Sequence, residues 1–268
     1  MRIGKWWAGA VFLFCAQLVS AQSLTTINTP GASPAAIQAS VDAFRTNISA
    51  GGVNNGVNEF LGSSGRREIN WDGVPNGFAA PNTFPGGFFN QNSQRGVSVT
   101  TAGAGFMVSD AASGGNGVGE RFANLNASYP AQFPTFTASK LFTPLGGNQL
   151  DVNFFVPKTG ATLAGSVPAV VRGFAVVFVD VDQAGTTSMQ FFDRNGVSLI
   201  GFACSPSASG LNFCGARVTN GEAEIARVRL SLGNAAIGPT ETTGVDVVVL
   251  DDFIYGEPVL HMFANGFE

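Results

Sequence analysis

The chain has 268 residues, of which 45% are apolar and only 12% are charged, and it contains 35 glycines and 24 phenylalanines. This composition excludes a disordered acidic chain and a helical bundle, because charge is scarce while residues favoured in strands and turns are abundant. The formal net charge is −4 and no stretch is rich in lysine and arginine, so a nucleic-acid or anionic-membrane partner is not expected.

Residues 1–21 have the pattern of a secretory signal peptide. Arg2 and Lys5 precede the apolar segment 6–18, and small residues end at Ala21. The apolar segment is shorter than the ~20 residues that a membrane-spanning helix needs. We therefore expect cleavage after residue 21, no membrane insertion afterwards, and a secreted or cell-surface location.

Removal of the signal peptide leaves two cysteines, Cys204 and Cys214. An even number of cysteines in an exported chain favours a disulfide. The alternative is two buried free thiols.

Residues 22–66 are interpreted as an N-terminal extension that contains one helix. Ser33 suits an N-cap and Pro34 suits the first helical position. An amphipathic helix over about 34–48 is predicted from apolar residues spaced i, i+4, i+7 and i+11, namely Ile37, Val41, Phe44 and Ile48.

Residues 67–258 carry a β pattern, and 259–268 are interpreted as a tail. Strands are predicted from β-branched and aromatic runs bounded by turn residues, at 69–71, 96–101, 105–109, 121–125, 148–156, 170–181 and 245–255. Two Asn-Gly pairs predict tight hairpins, which join 189–192 to 197–202 and 213–219 to 223–232. With no βαβ alternation and no repeat, the pattern predicts an all-β fold, an antiparallel jelly-roll β-sandwich with one N-terminal helix.

Catalysis by a nucleophile and a base is not supported by the residues present. His261 is the only histidine, and no G-x-S-x-G motif occurs. A zinc site lacks a Cys/His cluster at ligand spacing. No catalytic residue is assigned, and the sequence favours a protein that is not an enzyme.

Four aspartates form two close pairs in predicted strands. Asp180 and Asp182 are two residues apart, and Asp251 and Asp252 are adjacent. Three roles are possible for them. They can pair with arginines or turn amides, or they can bind Ca²⁺ through oxygen ligands. Carboxylates near Asp180 and Asp252 can also cleave glycosidic bonds, as in a glycoside hydrolase or lyase. The four aspartates are the candidate metal ligands, and calcium is the cofactor considered.

Trp71 and Tyr129 are the candidate ligand-binding residues. Their rings suit stacking on a sugar, and their polar atoms tolerate a wet site. The alternative is that they belong to the core, as most aromatic residues of a sandwich do.

Several stretches resemble exported bacterial jelly-roll domains of the carbohydrate-binding or galactose-binding type. They are FFDRNGVSLIGF, LNFCGARV, EIARVRLSL and VDVVVLDDFIYGEP, in this order. GRREINWDGVP and FFNQNSQRGV are similar to the first half of a group of such proteins, so the resemblance spans about 65–258. It implies that Asp251 or Asp252 helps to bind calcium. The last residues, FANGFE, resemble a GFE-type C-terminal tail of exported proteins.

The expected function is therefore binding of an extracellular glycan or another surface polymer by a secreted, calcium-stabilised, non-enzymatic sandwich. Two alternatives stay open at this point. One is a glycoside hydrolase or lyase that uses paired carboxylates. The other is a structural protein of the cell surface or matrix.

Overall fold

The computed structural model describes residues 23–49, 52–57, 62, 64–110, 120–158 and 165–260. The signal-peptide prediction and the tail from His261 onward lie outside these residues. Among the described helices, none combines the length and apolar character that crossing a bilayer requires.

Two antiparallel sheets form a sandwich, which confirms the predicted all-β class. The larger sheet has the strand order β1-β10-β7-β12-β5-β4, with β2 also paired to β12, and the smaller has the order β3-β6-β11-β8-β9. The strands are β1 (Leu24–Gly31), β2 (Arg66–Ile69), β3 (Val97–Thr100), β4 (Gly105–Val108), β5 (Phe142–Leu145), β6 (Gln149–Phe154), β7 (Gly173–Val181), β8 (Ser188–Phe192), β9 (Ser198–Ala203), β10 (Ser207–Val218), β11 (Arg227–Ser231) and β12 (Val249–Gly256).

The predicted helix is found as α1 (Pro34–Ile48), and two single-turn helices, α2 (Phe88–Gln91) and α3 (Tyr129–Gln132), lie in connections. Ser33 occupies the N-cap position, although its side chain makes no capping hydrogen bond. The apolar stripe of α1 is buried against the outer face of the larger sheet, where Phe44 packs edge-on to Phe213 at 5.6 Å between ring centroids.

The sandwich has two hydrophobic cores. One fills the space between the sheets, and the other lies between the larger sheet, α1 and the segment around α3. Strands β7 and β12 pass between both cores, so every residue of each is buried. Burial on both faces explains why these strands are nearly continuous apolar runs rather than alternating ones.

Strand β1 belongs to the larger sheet. It pairs with β10 along its whole length, from Leu24 opposite Val218 to Gly31 opposite Leu211. Because β1 has an unpaired outer edge, the proline at position 30 interrupts no central ladder. Part of the predicted N-terminal extension is therefore a strand of the sandwich.

One predicted hairpin is confirmed and the other is wrong. Strands β8 and β9 pair antiparallel across the Asn195 turn. Strands β10 and β11, however, lie in different sheets, so the turn at Asn220 carries the chain from one sheet to the other. The burial patterns explain the difference. Most of β10 is buried on both faces, whereas β11 alternates between buried and half-buried residues and so packs only one face against the core.

The predicted strand at 121–125 is also wrong. This segment forms turns, and Arg121 and Phe122 adopt positive φ values of 40° and 67°. Such left-handed backbone is incompatible with an extended strand.

The predicted disulfide between Cys204 and Cys214 is confirmed, with an S–S distance of 2.03 Å. Cys214 lies in β10 of the larger sheet, and Cys204 follows β9 of the smaller sheet. The bond therefore joins the two sheets covalently.

Candidate functional site

The larger sheet divides at β12. Leu250 pairs with Phe142 of β5, whereas Phe253 to Gly256 pair with β2. Opposite β7 the register shifts between Leu250 and Phe253, which identifies a β-bulge. Asp251 and Asp252 occupy this bulge, at the point where β2 and β5 separate. A bulge re-aims side chains, and here two adjacent carboxyl groups contact the same connection.

That connection is the segment between α3 and β5. The Phe136 N–H donates to Asp251 Oδ2 at 2.6 Å, and the Thr137 hydroxyl donates to Asp252 Oδ1 at 2.8 Å. The two carboxyl groups are also close enough for each to affect the pKa of the other. Both residues are at most 1% exposed.

Burial changes the acidity of this pair. Burial and the neighbouring Asp252 raise the pKa of Asp251 well above its ordinary value. Burial also raises the pKa of Asp252, to about 6, while the hydroxyl of Thr137 opposes the change. The pair acts as a buried hydrogen-bonding unit that holds the 133–140 connection on the sheet.

Asp180 lies in β7 and Asp182 directly follows the strand, and the two carboxyl groups interact electrostatically. Asp180 is 2% exposed and has φ +65°, and its Oδ1 accepts a 2.5 Å hydrogen bond from the Ser209 N–H. Burial, assisted by the carboxylates of Asp182, Glu241 and Asp246, raises the pKa of Asp180 to about 7.

The four aspartates thus fall into two separate pairs, one at the end of β7 and one in the β12 bulge. Within the described parts of the chain, no three His, Cys, Asp or Glu side chains are grouped so that they could hold a metal ion. Calcium binding by these aspartates stays a prediction.

The protonation of Asp180 makes stability depend on pH. Because its folded pKa of about 7 exceeds the ordinary 3.8, the folded state holds a proton that the unfolded state releases, and stability falls as pH rises from about 4 through about 7. Between pH 5 and pH 8 this carboxyl group should lower the free energy of unfolding by roughly 3 kcal/mol, and Asp180→Asn should remove that decline. Urea unfolding at pH 5 and pH 8 measures this effect.

The matched control for this prediction is Asp42→Asn, since the side chain of Asp42 is 59% exposed. The control should retain the decline of the wild-type protein. An unchanged decline in Asp180→Asn would show that this carboxyl group is already ionised at neutral pH.

The two candidate aromatic residues lie in different cores. Trp71 is 1% exposed and stacks on Phe142 at 4.0 Å between ring centroids. Tyr129 is 0% exposed, stacks on Phe133, and donates its hydroxyl proton to the Gly238 carbonyl at 2.8 Å. The structure does not bring these two residues together.

Trp71 has two further properties that connect it to a surface site. Its indole N–H donates to the Asp251 carbonyl at 3.0 Å, and its backbone has φ +60°. A left-handed conformation is unusual for a bulky side chain, and such outliers concentrate at binding and catalytic sites.

A cleft of about 260 Å³ lies beside Trp71. Its walls are the turn after β2 and the region of α2, and its lining residues are Ile69, Asn70, Trp71, Gly73, Val74, Pro75, Phe88, Phe89, Asn92, Ser93 and Arg95. The hydrogen bond from Trp71 to Asp251 joins this turn to the β12 bulge. The cleft therefore has a rigid, aromatic inner wall.

Three polar side chains of the cleft were not identified from the sequence. The amides of Asn70 and Asn92 are exposed and make no side-chain hydrogen bond within the described residues. Arg95 donates from Nε to the Glu68 carbonyl at 3.1 Å and from Nη1 to the Ser93 hydroxyl, and its guanidinium lies 5.5 Å from the centroid of the Phe89 ring. All three lie in the stretches GRREINWDGVP and FFNQNSQRGV, whose only signal in the sequence is a resemblance to exported jelly-roll proteins.

A second hollow of about 380 Å³ lies beside Leu260. Its walls are mainly apolar, with the side chains of Asn153 and Arg194 among its lining residues. The first cleft offers more converging polar groups, which is the property of sites that orient a small ligand.

The comparisons with known proteins identify no family for the chain. No protein-family description matches the chain, and no curated protein matches it. Among solved structures, the chain is similar to the enzymatically active domain of tailspike protein 4 from bacteriophage CBA120, with 13% identity and a TM-score of 0.29. The match covers 69% of this chain and only 21% of the tailspike chain.

Proposed function

We propose that this chain is an exported β-sandwich protein that binds carbohydrate in the cleft beside Trp71. The observation that carries this proposal is the combination of an aromatic wall, two uncommitted amides and one guanidinium around a single cleft. Small-molecule sites are mostly apolar concave surfaces with a few placed polar groups. The proposal includes an extracellular or cell-surface location, which the signal-peptide pattern and the disulfide support.

The chemistry of the cleft suits a sugar. A sugar ring has apolar C–H faces, and Phe88 and Phe89, each no more than 7% exposed, contribute a small apolar surface at the base of the cleft. Its hydroxyl groups both donate and accept, and an asparagine amide can satisfy both roles. Asn70 and Asn92 lie on opposite walls of the cleft, one after β2 and the other after α2.

Binding is favoured over hydrolysis by the absence of carboxylates from the cleft. Glycoside hydrolysis requires two carboxyl groups that flank the bond to be cleaved. No aspartate or glutamate is among the described residues that line the cleft. The buried pair Asp251 and Asp252 is already committed to the 133–140 connection.

Asn92→Ala is expected to weaken sugar binding by at least tenfold, because it removes a donor and an acceptor from one wall of the cleft and leaves the sugar hydroxyl there without a partner. Binding is measured by calorimetry against the neutral and acidic glycans that give the strongest signal on a glycan array. The matched control is Gln91→Ala, which removes an exposed amide one residue away that does not line the cleft.

Equal weakening of sugar binding by Asn92→Ala and Gln91→Ala would contradict binding in this cleft. Binding by neither the wild-type protein nor the variants, across the whole array, would instead favour a purely structural role. Thermal unfolding with EDTA and with added Ca²⁺ tests the proposed calcium stabilisation, since an ion that binds the folded state raises the midpoint by mass action. An unchanged midpoint would contradict the proposed calcium binding.

A further inference from the structure

Arg95 is a half-buried cation without an anionic partner. Within the described residues its guanidinium donates only to neutral oxygens, the Glu68 carbonyl and the Ser93 hydroxyl. Its Nη2 group makes no hydrogen bond in that part of the chain. Burial of a charge is unfavourable unless the charge is paired. An anion bound in the cleft would therefore stabilise the half-buried guanidinium.

The nearest carboxylates are already engaged elsewhere. Glu68 points its carboxylate away from the cleft, to Arg45 at 2.8 Å and Arg66 at 2.6 Å. Glu257 is bound by the buried guanidinium of Arg67 at 2.7 Å. Within the described residues, Arg95 forms no ion pair with a carboxylate.

Burial lowers the pKa of Arg95, Tyr255 opposes this change, and the positive charge of Arg67 adds to it. Burial and Arg67 both disfavour the cation, and an anion in the cleft would offset both. This local surplus of positive charge exists in a protein whose net charge is negative, so it is a property of this cleft and not of the whole surface.

We propose that the cleft selects an acidic sugar and that Arg95 binds the carboxylate of a uronic acid residue. This inference rests on the proposed sugar-binding function and names the class of sugar. Arg95 lines the same cleft as Asn70 and Asn92, so a sugar held by these two amides places an acidic substituent within reach of the guanidinium. A charge-assisted hydrogen bond of this kind is about twice as strong as a neutral one.

The dimensions of the cleft limit the ligand further. Its volume of about 260 Å³ lies just below the ~300–1,000 Å³ typical of pockets for drug-sized molecules. It therefore accommodates one sugar residue with its substituent. Within a polymer, that residue is a uronate at a chain end or at an exposed position, and its neighbours extend along the surface.

The experiment compares sugars that differ only at the acidic group. Glucuronate and galacturonate are titrated against glucose and galactose, using NMR shifts of the wild-type protein and of Arg95→Gln. The wild-type protein is expected to bind each uronate at least tenfold more tightly than its neutral counterpart, and this preference should weaken as salt is raised. Arg95→Gln should bind acid and neutral sugars equally, whereas Arg95→Lys should keep part of the preference because it retains the charge.

The outcomes separate this inference from the function on which it rests. Equal binding of acidic and neutral sugars by the wild-type protein would overturn the acidic selectivity and leave sugar binding intact. No binding of any of the four sugars or of a glycan array would overturn the proposed function itself. The wild-type comparison decides the selectivity even if the Arg95 variants fail to fold.

Discussion

Arg67→Ala is expected to destabilise the protein by about 3–5 kcal/mol, the range for breaking one partner of a buried ion pair. Arg67 and Glu257 are both fully buried, and two hydrogen bonds of 2.7 and 2.8 Å join them. Loss of the guanidinium leaves the carboxylate of Glu257 buried, and among the described residues the Asn55 amide at 2.9 Å is then its remaining side-chain donor. The pair links β2 to the chain that follows β12, so its loss acts on both.

Chemical denaturation of the wild-type protein and Arg67→Ala measures this difference. The control is Arg229→Ala, whose side chain is 43% exposed and pairs with Asp151; exposed pairs contribute only about 0–1 kcal/mol. Glu257→Ala should match Arg67→Ala in size, because each leaves one buried charge. Similar, small losses in Arg67→Ala and Arg229→Ala would contradict the burial of the ion pair.

Trp71→Ala should cost about 3–5 kcal/mol, the usual range for truncating a large buried aromatic residue. Four aromatic rings surround the indole, with Phe142 stacked on it and the others edge-on, namely Phe84, Phe89 and Phe253. Truncation opens a cavity behind the cleft and leaves the Asp251 carbonyl without its donor. Urea unfolding measures the loss of stability.

Trp71→Phe separates packing from hydrogen bonding at this position. It retains a ring in the aromatic cluster but removes the N–H, so its cost should be smaller, about 1–3 kcal/mol. Sugar binding should weaken in both variants, since the cleft wall loses its connection to the β12 bulge. A loss below 1 kcal/mol in Trp71→Ala would contradict the packing of this residue.

The fold class could be predicted because local patterns determine it. The i, i+4, i+7 spacing from Ile37 to Ile48 corresponds to the buried face of α1, and the Asn-Gly pair at 195 corresponds to the β8–β9 turn. The same signal failed at Asn220, where a turn residue cannot reveal whether the next strand continues in the same sheet. Sheet membership depends on which faces are buried, and neighbours far away in the sequence decide that.

The candidate site was less accessible to prediction for a related reason. The aspartate pairs could be located by spacing, but their burial and their partners, such as Phe136 and Thr137, depend on a distant connection. Arg95 and Asn92 have no motif of their own. They become a site only because the turn that contains Trp71 folds against α2.

The position of β12 in the larger sheet has a consequence for the order of folding. It is the last described strand in the chain, yet it lies between β7 and the β2–β5 side of the sheet. Likewise β1, the first described strand, can pair only after β10 has been made, since β10 is its partner from Leu24 onward. Such long-range pairing makes folding slow, and neither half of the chain contains a complete sheet. The larger sheet can therefore be completed only after synthesis has passed residue 256, although every strand of the smaller sheet has been made by residue 231.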